Sequence, residues 1–437
     1  MQTIQQTALK HIWYPCSQMK DYQDLPPIFV KKAQGSYLYL DDDTKIIDAI
    51  SSWWCKSLGH QHPLIKKSII EQLDKFEHII GTNTISQTLT ELSQKLSQLQ
   101  PNLNKVFYAG DGSCAIEVAM KMSLHSRKLL GQNIRTDFIS LSNGYHGETL
   151  ATLSVSDVGL YKSPYKSLCF DCIHLGPLPY VSGENDPLWL DASHYWPAIE
   201  KQLEPYKNTA TAILFEPILQ GAGGMKIYSA DLLKRLANYA AVHNIHLIAD
   251  EIMTGLGRTG KTLACEHADI TPDFICLSKA LTAGSLAMSA ILTSQTIYDL
   301  FYDDYATGKS FLHSNTYGGN ALAAAAANAA LDIHYAQNMN EQAILLGKQL
   351  LQGMCHVQSE TGALSNLRQI GAMVAADLNL PIARAGFRLF KEAMRLGAFL
   401  RPLGNTLYWL PPLNTPFSVI EELCQITLDS IKKINNG

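Results

Sequence analysis

Two residues with chemically useful side chains, Lys279 and Asp250, follow apolar runs that resemble buried β-strands. Lys279 comes just after the run 274–277, and Asp250 directly follows the run 245–249. A lysine withdrawn from water has a lowered pKa and can act as a nucleophile towards a carbonyl carbon. A carboxylate at the bottom of a pocket can keep the nitrogen of an aromatic heterocycle protonated. Each residue alone also fits an ordinary role, as a surface lysine or a strand-end carboxylate.

Three other places could bind further parts of a ligand. Gly112 and Ser113 follow the apolar run 106–109 and open a helical segment, where free N–H groups and the helix dipole favour a phosphate. Ser113 could equally cap the helix. The ring of Tyr145 could stack on a planar group or pack in the core. Arg401 carries a guanidinium that suits a carboxylate, with a surface ion pair as the alternative.

Six short apolar runs must position these residues. They alternate with helical patterns and occupy 106–109, 138–141, 212–215, 246–249, 274–277 and 289–292. This alternation indicates a mostly parallel sheet covered by helices on both faces. Ligands bind beyond the carboxyl ends of the strands in such sheets. The sequence therefore predicts an α/β fold that brings the candidate residues to one edge of the sheet.

Beyond residue 335 the pattern changes to helices with fewer strands. We therefore expect a large domain at 61–335 and a smaller α+β domain built from both chain ends. In this division the segment 1–60 packs with the C-terminal part 336–437.

Composition excludes several classes of function. The 437 residues are 46% hydrophobic and 17% charged, which allows a sizeable core without a disorder signature. The formal net charge is -4 with no long basic run, so we expect no nucleic-acid partner. We also expect a cytoplasmic protein, because neither a secretory signal nor an apolar run of membrane-spanning length is evident. The pair Cys169 and Cys172 lacks further ligands nearby, so no metal is expected.

The order of the candidate residues is similar to that of class III pyridoxal-phosphate aminotransferases. Residues 248–260 (IADEIMTGLGRTG) and 277–282 (LSKALT) resemble the signature of this family. Further resembling motifs lie at 11–13, 51–54, 143–147, 216–224 and 401–402. The resemblance covers nearly the whole chain. It implies the fold-type I architecture with pyridoxal 5'-phosphate as the cofactor.

The resemblance also implies roles for the residues around the cofactor. By this analogy Lys279 holds the cofactor, is the catalytic proton carrier and touches substrate. Gly112 and Ser113 bind the cofactor phosphate, and Asp250 pairs with the ring nitrogen. Tyr145 stacks near the ring and also touches substrate.

A second group of residues would bind substrate or complete the site from a partner subunit. By the same resemblance Trp53 lines the substrate pocket and Arg401 takes the substrate carboxylate. Ser314 borders the substrate. Asn315 and Thr316 resemble a phosphate-contacting pair that a partner subunit contributes, which implies a homodimer with shared active sites.

The resemblance is closest to family members that aminate 8-amino-7-oxononanoate to 7,8-diaminononanoate in biotin biosynthesis. It implies a ping-pong transamination with S-adenosylmethionine as the amino donor. Alternatives are the same reaction with lysine as donor, another ω-amino acid or diamine transamination, and an aminomutase that needs no external donor. A non-catalytic protein is disfavoured because it would not need Lys279, Asp250 and the 112–113 pair together.

A few positions depart from the family pattern. Cys16 stands where the family has a substrate-contacting tyrosine, so this aromatic contact is missing unless Tyr14 supplies it. Glu148 replaces an aspartate of the family pattern. The stretches 314–316 and 80–84 also differ from their usual forms. We therefore expect Cys16 and Glu148 to take part in substrate recognition. Small changes in a pocket are worth about 1–3 kcal/mol, which alters a preference without abolishing a reaction.

Overall fold

The structure is a computed structural model that describes residues 3–436. The strands are β1 (Val30–Gln34), β2 (Tyr37–Leu40), β3 (Lys45–Asp48), β4 (Lys105–Ala109), β5 (Asp137–Leu141), β6 (Ile173–Leu175), β7 (Tyr180–Val181), β8 (Ala210–Phe215), β9 (Leu219–Gln220), β10 (Lys226–Tyr228), β11 (His246–Asp250), β12 (Phe274–Leu277), β13 (Ser289–Thr293), β14 (Leu364–Ile370), β15 (Met373–Leu378), β16 (Ala398–Phe399) and β17 (Thr406–Trp409).

The helices include several short ones between the strands. They are α1 (Ile4–His11), α2 (Ser51–Trp54), α3 (Pro63–Leu73), α4 (Gln87–Leu99), α5 (Gly112–Leu129), α6 (Leu150–Val155), α7 (Gly159–Lys162), α8 (Pro187–Leu190), α9 (Trp196–Leu203), α10 (Ala230–Val242), α11 (Gln295–Phe301), α12 (Ala321–Ala336), α13 (Met339–Thr361), α14 (Ala385–Leu396) and α15 (Phe417–Asn436). None of the helices within residues 3–436 is long and apolar enough to cross a membrane.

A seven-stranded sheet forms the centre of the molecule, in the order β4-β13-β12-β11-β8-β5-β6. Strands β12, β11, β8, β5 and β6 run parallel, while β13 is antiparallel to both β12 and β4. All six apolar runs identified in the sequence are strands of this sheet. The predicted α/β fold with a mostly parallel sheet is therefore confirmed.

Helix α5 shows how the sheet is covered. Its residues Ala115, Val118, Ala119 and Met122 are buried, as their helical spacing predicts, and the helix packs against β12 and β13. The helix begins after Asp111, whose carboxylate accepts a hydrogen bond from the backbone amide of the third helical residue. The start of α5 is thereby held at the carboxyl end of β4.

A second core joins the two ends of the chain. Ile47 of β3 packs in one cluster with Leu350, Trp409 and Leu423 from the C-terminal part. Strand β3 also pairs in parallel with β16. These contacts agree with a smaller unit built from both chain ends, whereas the division at residues 60 and 335 stays a prediction.

The loop 255–261 resembles a phosphate loop but lacks the spacing of one. Its Arg258 is fully buried, and Nη1 donates to the carbonyl oxygens of Ala372 and Pro411 at 2.9 Å each. Burial lowers the pKa of this guanidinium to about 9. The loop therefore anchors the second core to the segment that follows β11.

Helix α2 is a single turn of the opposite hand. The φ angles of Ser51, Ser52, Trp53 and Trp54 are 51°, 45°, 69° and 71°, and none of the four is glycine. A left-handed helical conformation costs L-residues about 1–2 kcal/mol each. Contacts from the rest of the fold must offset this cost, because the four residues alone do not favour such a turn.

Candidate active site

A cavity of about 480 Å³ opens at the carboxyl edge of the central sheet. Most of the residues predicted for the site line it, namely Cys16, Trp53, Gly112, Ser113, Tyr145, Glu148, Asp250, Lys279 and Arg401. They come from the N-terminal segment, α2, four strand ends and the second core. The cavity therefore lies where the sheet meets the smaller core, as the position of the strand ends predicts.

Lys279 lies at the floor of this cavity, just after β12. Its Nζ is 4.6 Å from the centroid of the Trp54 ring, which is a cation–π distance. Burial lowers the pKa of the Lys279 amine, and the nearby carboxylates of Asp250 and Glu216 oppose this shift. The side chain is thus a lysine held away from bulk water, which can serve as a nucleophile.

Asp250 is buried beside the lysine at the end of β11. The Nδ1 of His146 donates to Asp250 Oδ2 at 2.9 Å, and the amide of Ile252 donates to Oδ1 at 3.2 Å. These two contacts fix the orientation of the carboxylate. The carboxylate also lines the cavity, so it could hold a proton on a heterocyclic nitrogen. His146 was part of a recognised motif, but its pairing with Asp250 was not predicted.

The N-terminus of α5 provides the expected phosphate site. The amides of Gly112 and Ser113 belong to the first turn, which has no acceptors within the helix. Both residues line the cavity, and the 18-residue helix directs its dipole towards it. Gly147 has a φ of +126°, and a Cβ there would overlap Ser113 Oγ. The close backbone approach and the free amides fit a phosphate group.

Glu216 is a buried carboxyl directly after β8, at the strand-end edge where the sequence predicts chemistry, although the sequence predicts no specific role for it. Its Oε1 accepts from the amide of Tyr145 at 2.9 Å, and its Oε2 accepts from the amide of Gly221 at 2.8 Å. Burial raises the pKa of Glu216 to about 7, although His146 opposes the rise. Glu216 therefore fixes the loop that carries the Tyr145 ring.

The mouth of the cavity contains groups of opposite charge. The guanidinium carbon of Arg401 is 4.3 Å from the Trp53 ring centroid, and Nη2 donates to the carbonyl oxygen of Cys16 at 3.0 Å. The Tyr145 hydroxyl donates to Glu148 Oε1 at 3.0 Å, and the Cys16 thiol lies 3.8 Å from the same oxygen. Burial and Glu148 raise the pKa of the Cys16 thiol. Cys16 is thus a neutral contact between a cation and an anion.

A tyrosine from an unexpected place supplies the aromatic side chain at this mouth. Tyr14 does not line the cavity, since its ring packs against that of Tyr22 at 5.1 Å. Tyr161 lines the cavity instead, with its ring 5.9 Å from that of Tyr145. Tyr161 lies in the short helix α7 and belongs to no motif of the sequence. It reaches the cavity because of the path that the chain takes after α6.

The residues 314–316 lie outside this cavity. Ser314 and Thr316 are exposed, and the side-chain oxygen of Asn315 is buried without a hydrogen-bond partner among residues 3–436. Their role in a shared site stays a prediction.

Comparisons with known proteins agree with this geometry. The model of the family "Aminotransferase class-III" matches residues 18–434. An adenosylmethionine-8-amino-7-oxononanoate aminotransferase from Helicobacter pylori is 42% identical over 434 residues, covering 98% of each chain. A protein of the same name from Aquifex aeolicus is 33% identical over 443 residues, covering 96% of this chain and 94% of its own.

Solved structures show the same architecture. The adenosylmethionine-8-amino-7-oxononanoate aminotransferase of Methanocaldococcus jannaschii superposes with a TM-score of 0.91 at 29% identity, covering 98% of both chains. An amine transaminase from an uncultivated Pseudomonas species, in its PLP-bound form, gives a TM-score of 0.88 at 28% identity, covering 97% of this chain and 98% of that one. The predicted fold-type I architecture is confirmed, and the chain belongs to the class III aminotransferase family.

Proposed function

We propose that this protein is a pyridoxal-phosphate-dependent transaminase of biotin biosynthesis. It converts 8-amino-7-oxononanoate to 7,8-diaminononanoate with S-adenosylmethionine as the amino donor. The observation that carries the proposal is the 42% identity, over 98% of both chains, to a relative whose name states this substrate and donor. The cavity supports it, because it combines a buried lysine, a buried carboxylate and a helix N-terminus.

The residues present fit the cofactor. Pyridoxal phosphate, when bound, supplies an electron sink for the carbon that loses a proton. The amides of Gly112 and Ser113 would hold its phosphate, and Asp250 would hold the proton on its ring nitrogen. His146 keeps Asp250 oriented for this task. Lys279 Nζ would hold the aldehyde carbon and, once released, carry the proton to and from the amine-bearing carbon.

Residues at the mouth would select the substrates. Arg401 offers a guanidinium to a carboxylate, and its stacking on Trp53 limits its rotamers. Glu148 places a negative charge at the same mouth, which favours an amino donor with a positive charge beyond the reacting amine. Tyr145 lines the cavity beside Glu148. Glu216 fixes the backbone of Tyr145, and Glu148 fixes its hydroxyl.

We also propose that the protein works as a homodimer. Ile85, Leu312 and Tyr317 are 88%, 86% and 68% exposed. The segments around His78 and Tyr317 adjoin, since their rings are 5.3 Å apart and a Cβ at Gly81 would lie 3.7 Å from the Gly318 carbonyl oxygen. Exposed apolar side chains on adjoining segments are typical of an interaction surface. Residues 314–316 lie between Leu312 and Tyr317 in the chain, so a partner covering this surface would contact the segment that the family resemblance assigns to a shared site. Sedimentation velocity should then show twice the mass of one chain.

A cytoplasmic location fits the state of the cysteines. All nine are free thiols, as expected of a protein that works in a reducing compartment. Cell fractionation should recover the protein with cytoplasmic markers.

A half-reaction tests the proposed chemistry directly. The cofactor-loaded protein is mixed with S-adenosylmethionine alone, and the visible absorbance of the cofactor held by Lys279 is followed. We expect this absorbance to decay, and we expect 7,8-diaminononanoate to form when 8-amino-7-oxononanoate is then added. Lys279→Ala is the control, because it cannot hold the cofactor covalently.

The outcomes separate the alternatives. If the absorbance decays with lysine but not with S-adenosylmethionine, the proposed ketone substrate stands and lysine becomes the proposed amino donor. No decay with either amine, in a protein that retains the cofactor absorbance, would contradict the proposal and favour another transaminase or an aminomutase.

A further inference from the structure

The left-handed turn α2 carries two tryptophans that contact the two cations of the cavity. The Trp53 ring lies 4.3 Å from the guanidinium carbon of Arg401, and the Trp54 ring lies 4.6 Å from Lys279 Nζ. Two consecutive tryptophans therefore contact Arg401, the expected substrate-binding residue, and Lys279, the expected catalytic residue. The hand of the turn sets the directions of successive side chains, so the left-handed conformation determines where these two rings point.

A buried carboxylate holds this turn in place. Asp48 is 1% exposed, and its Oδ1 accepts from the Ser52 amide at 2.9 Å. Its Oδ2 accepts from the Ser52 hydroxyl at 2.6 Å and contacts His60 Nε2 at 2.9 Å. Burial alone would raise the pKa of Asp48, but the hydrogen bonds from His60 and Ser52 together lower it. The carboxylate thus stays ionised against the middle of the turn.

The partners of Asp48 are themselves fixed by the fold. The backbone of His60 exchanges hydrogen bonds with Gly35 at 2.8 and 3.0 Å, which ties it to the β1–β2 hairpin. At the other end of the turn, Ser51 Oγ donates to the carbonyl oxygen of Leu410 at 2.7 Å. The Trp54 indole N–H donates to the Tyr408 hydroxyl at 3.1 Å. The turn is therefore held from both sides, by the β1–β2 hairpin through His60 and by the C-terminal end of β17 through Tyr408 and Leu410.

We propose that Asp48 and His60 are positioning residues that keep α2 left-handed and thereby hold Trp53 under Arg401 and Trp54 under Lys279. They do not line the cavity and act only through the two rings. The effect on Lys279 requires only that the protein binds the cofactor of its family. The effect on Arg401 rests on the proposed function. The test below keeps the two effects separate.

The first measurement uses cofactor-free protein. Pyridoxal phosphate is added at a series of pH values, and the rate at which Lys279 captures it is read from the visible absorbance. Capture needs the neutral amine, so the pH midpoint reports on Lys279. In Asp48→Asn we expect this midpoint to fall by about half a unit, because the ammonium loses its aromatic face. Asp250, Glu216 and Cys55, the other groups acting on Lys279, are unchanged in this variant.

The second measurement compares amine substrates with and without a carboxylate. For Asp48→Asn we expect KM to rise about tenfold for the carboxylate-bearing substrate, as for a weakened charged hydrogen bond. KM for the carboxylate-free amine should change little. His60→Gln keeps a donor towards Asp48 and should show a smaller change in both measurements.

Two further variants separate positioning from general destabilisation. Asp273→Asn removes another buried carboxylate, one that accepts from the Leu247 amide at 2.7 Å and does not line the cavity. It is a matched loss of a buried carboxylate elsewhere in the fold and should leave the pH midpoint and the KM ratio unchanged. Adding Ser52→Gly to Asp48→Asn should restore both readouts in part, because glycine adopts positive φ freely.

Clear results would overturn the inference. If Asp48→Asn behaves like Asp273→Asn, Asp48 has only a structural role. If Ser52→Gly rescues neither readout, the hand of the turn is not what Asp48 controls. If Asp48→Asn does not fold, the same comparison is made with Ser52→Gly and His60→Gln alone. Normal cofactor capture without amination of 8-amino-7-oxononanoate would contradict the proposed substrate but leave the effect on Lys279 in force.

Discussion

Replacing Glu216 by glutamine should remove a pH-dependent part of the free energy of unfolding. Glu216 is fully buried, and its pKa rises from 4.5 to about 7 in the fold. The folded state therefore binds a proton at Glu216 more tightly than the unfolded state does. The stability that this group contributes is present below pH 4.5 and is lost as the pH rises to about 7.

The expected size follows from the shift. A difference of 2.5 units (7 minus 4.5) corresponds to about 3 kcal/mol, since one unit is worth about 1.4 kcal/mol. Glutamine has nearly the same shape and stays neutral at every pH. The free energy of unfolding of the wild-type protein minus that of Glu216→Gln should therefore fall by about 2–3 kcal/mol between roughly pH 5 and pH 8.

Urea unfolding of the cofactor-free proteins at both pH values measures this difference. Protein concentration is kept constant, because subunit association would otherwise change the apparent stability. His146, Asp250 and Lys279 act on the Glu216 carboxyl and are present in both proteins, so most of their contribution cancels. A difference that is independent of pH, or that grows as pH rises, would refute the argument that Glu216 is a destabilised anion.

Three other changes test separate parts of the structure. Arg401→Lys loses the planar fork, so KM for a carboxylate-bearing substrate should rise about tenfold in steady-state kinetics with a smaller fall in kcat. Tyr161→Leu should raise KM for the same substrate, whereas Tyr14→Leu should not, because only Tyr161 lines the cavity; equal effects would contradict this placement. Gly347→Ala should lower the melting temperature, since its Cβ would overlap the Gly371 carbonyl oxygen, although helix propensity alone favours alanine by about 1 kcal/mol.

Most of the central sheet could be predicted because its strands are buried on both faces. Strands β8, β11, β12 and β13 are buried at every position, so each reads as a continuous apolar run. Strand β6 was not predicted. It has three residues with His174 in the middle, which is too short and too polar to stand out from a loop.

The strand ends also made Lys279 and Asp250 predictable, since a polar residue directly after a buried strand must lie at the ligand-binding edge. Glu216 also follows a buried strand directly, but the contacts that connect these strand-end residues could not be found from the sequence. His146 is 104 residues from Asp250 in the chain, and Glu216 is 71 residues from Tyr145. Such pairs meet only because parallel strands bring distant loops together. Tyr161, and not Tyr14, lines the cavity for the same reason, because the path of the chain brings it there and no local pattern indicates this.

The turn α2 marks the limit of local prediction most clearly. The sequence Ser-Ser-Trp-Trp contains no glycine or asparagine, so its own preferences oppose positive φ at all four positions. Its conformation depends on a carboxylate three residues before it and on groups from the C-terminal part of the chain, such as the Leu410 carbonyl. Strained backbone persists only where surrounding structure over-determines it, and such strain concentrates at functional sites. Here it lies between the two cations of the cavity, because a relaxed turn could not hold adjacent tryptophans under both.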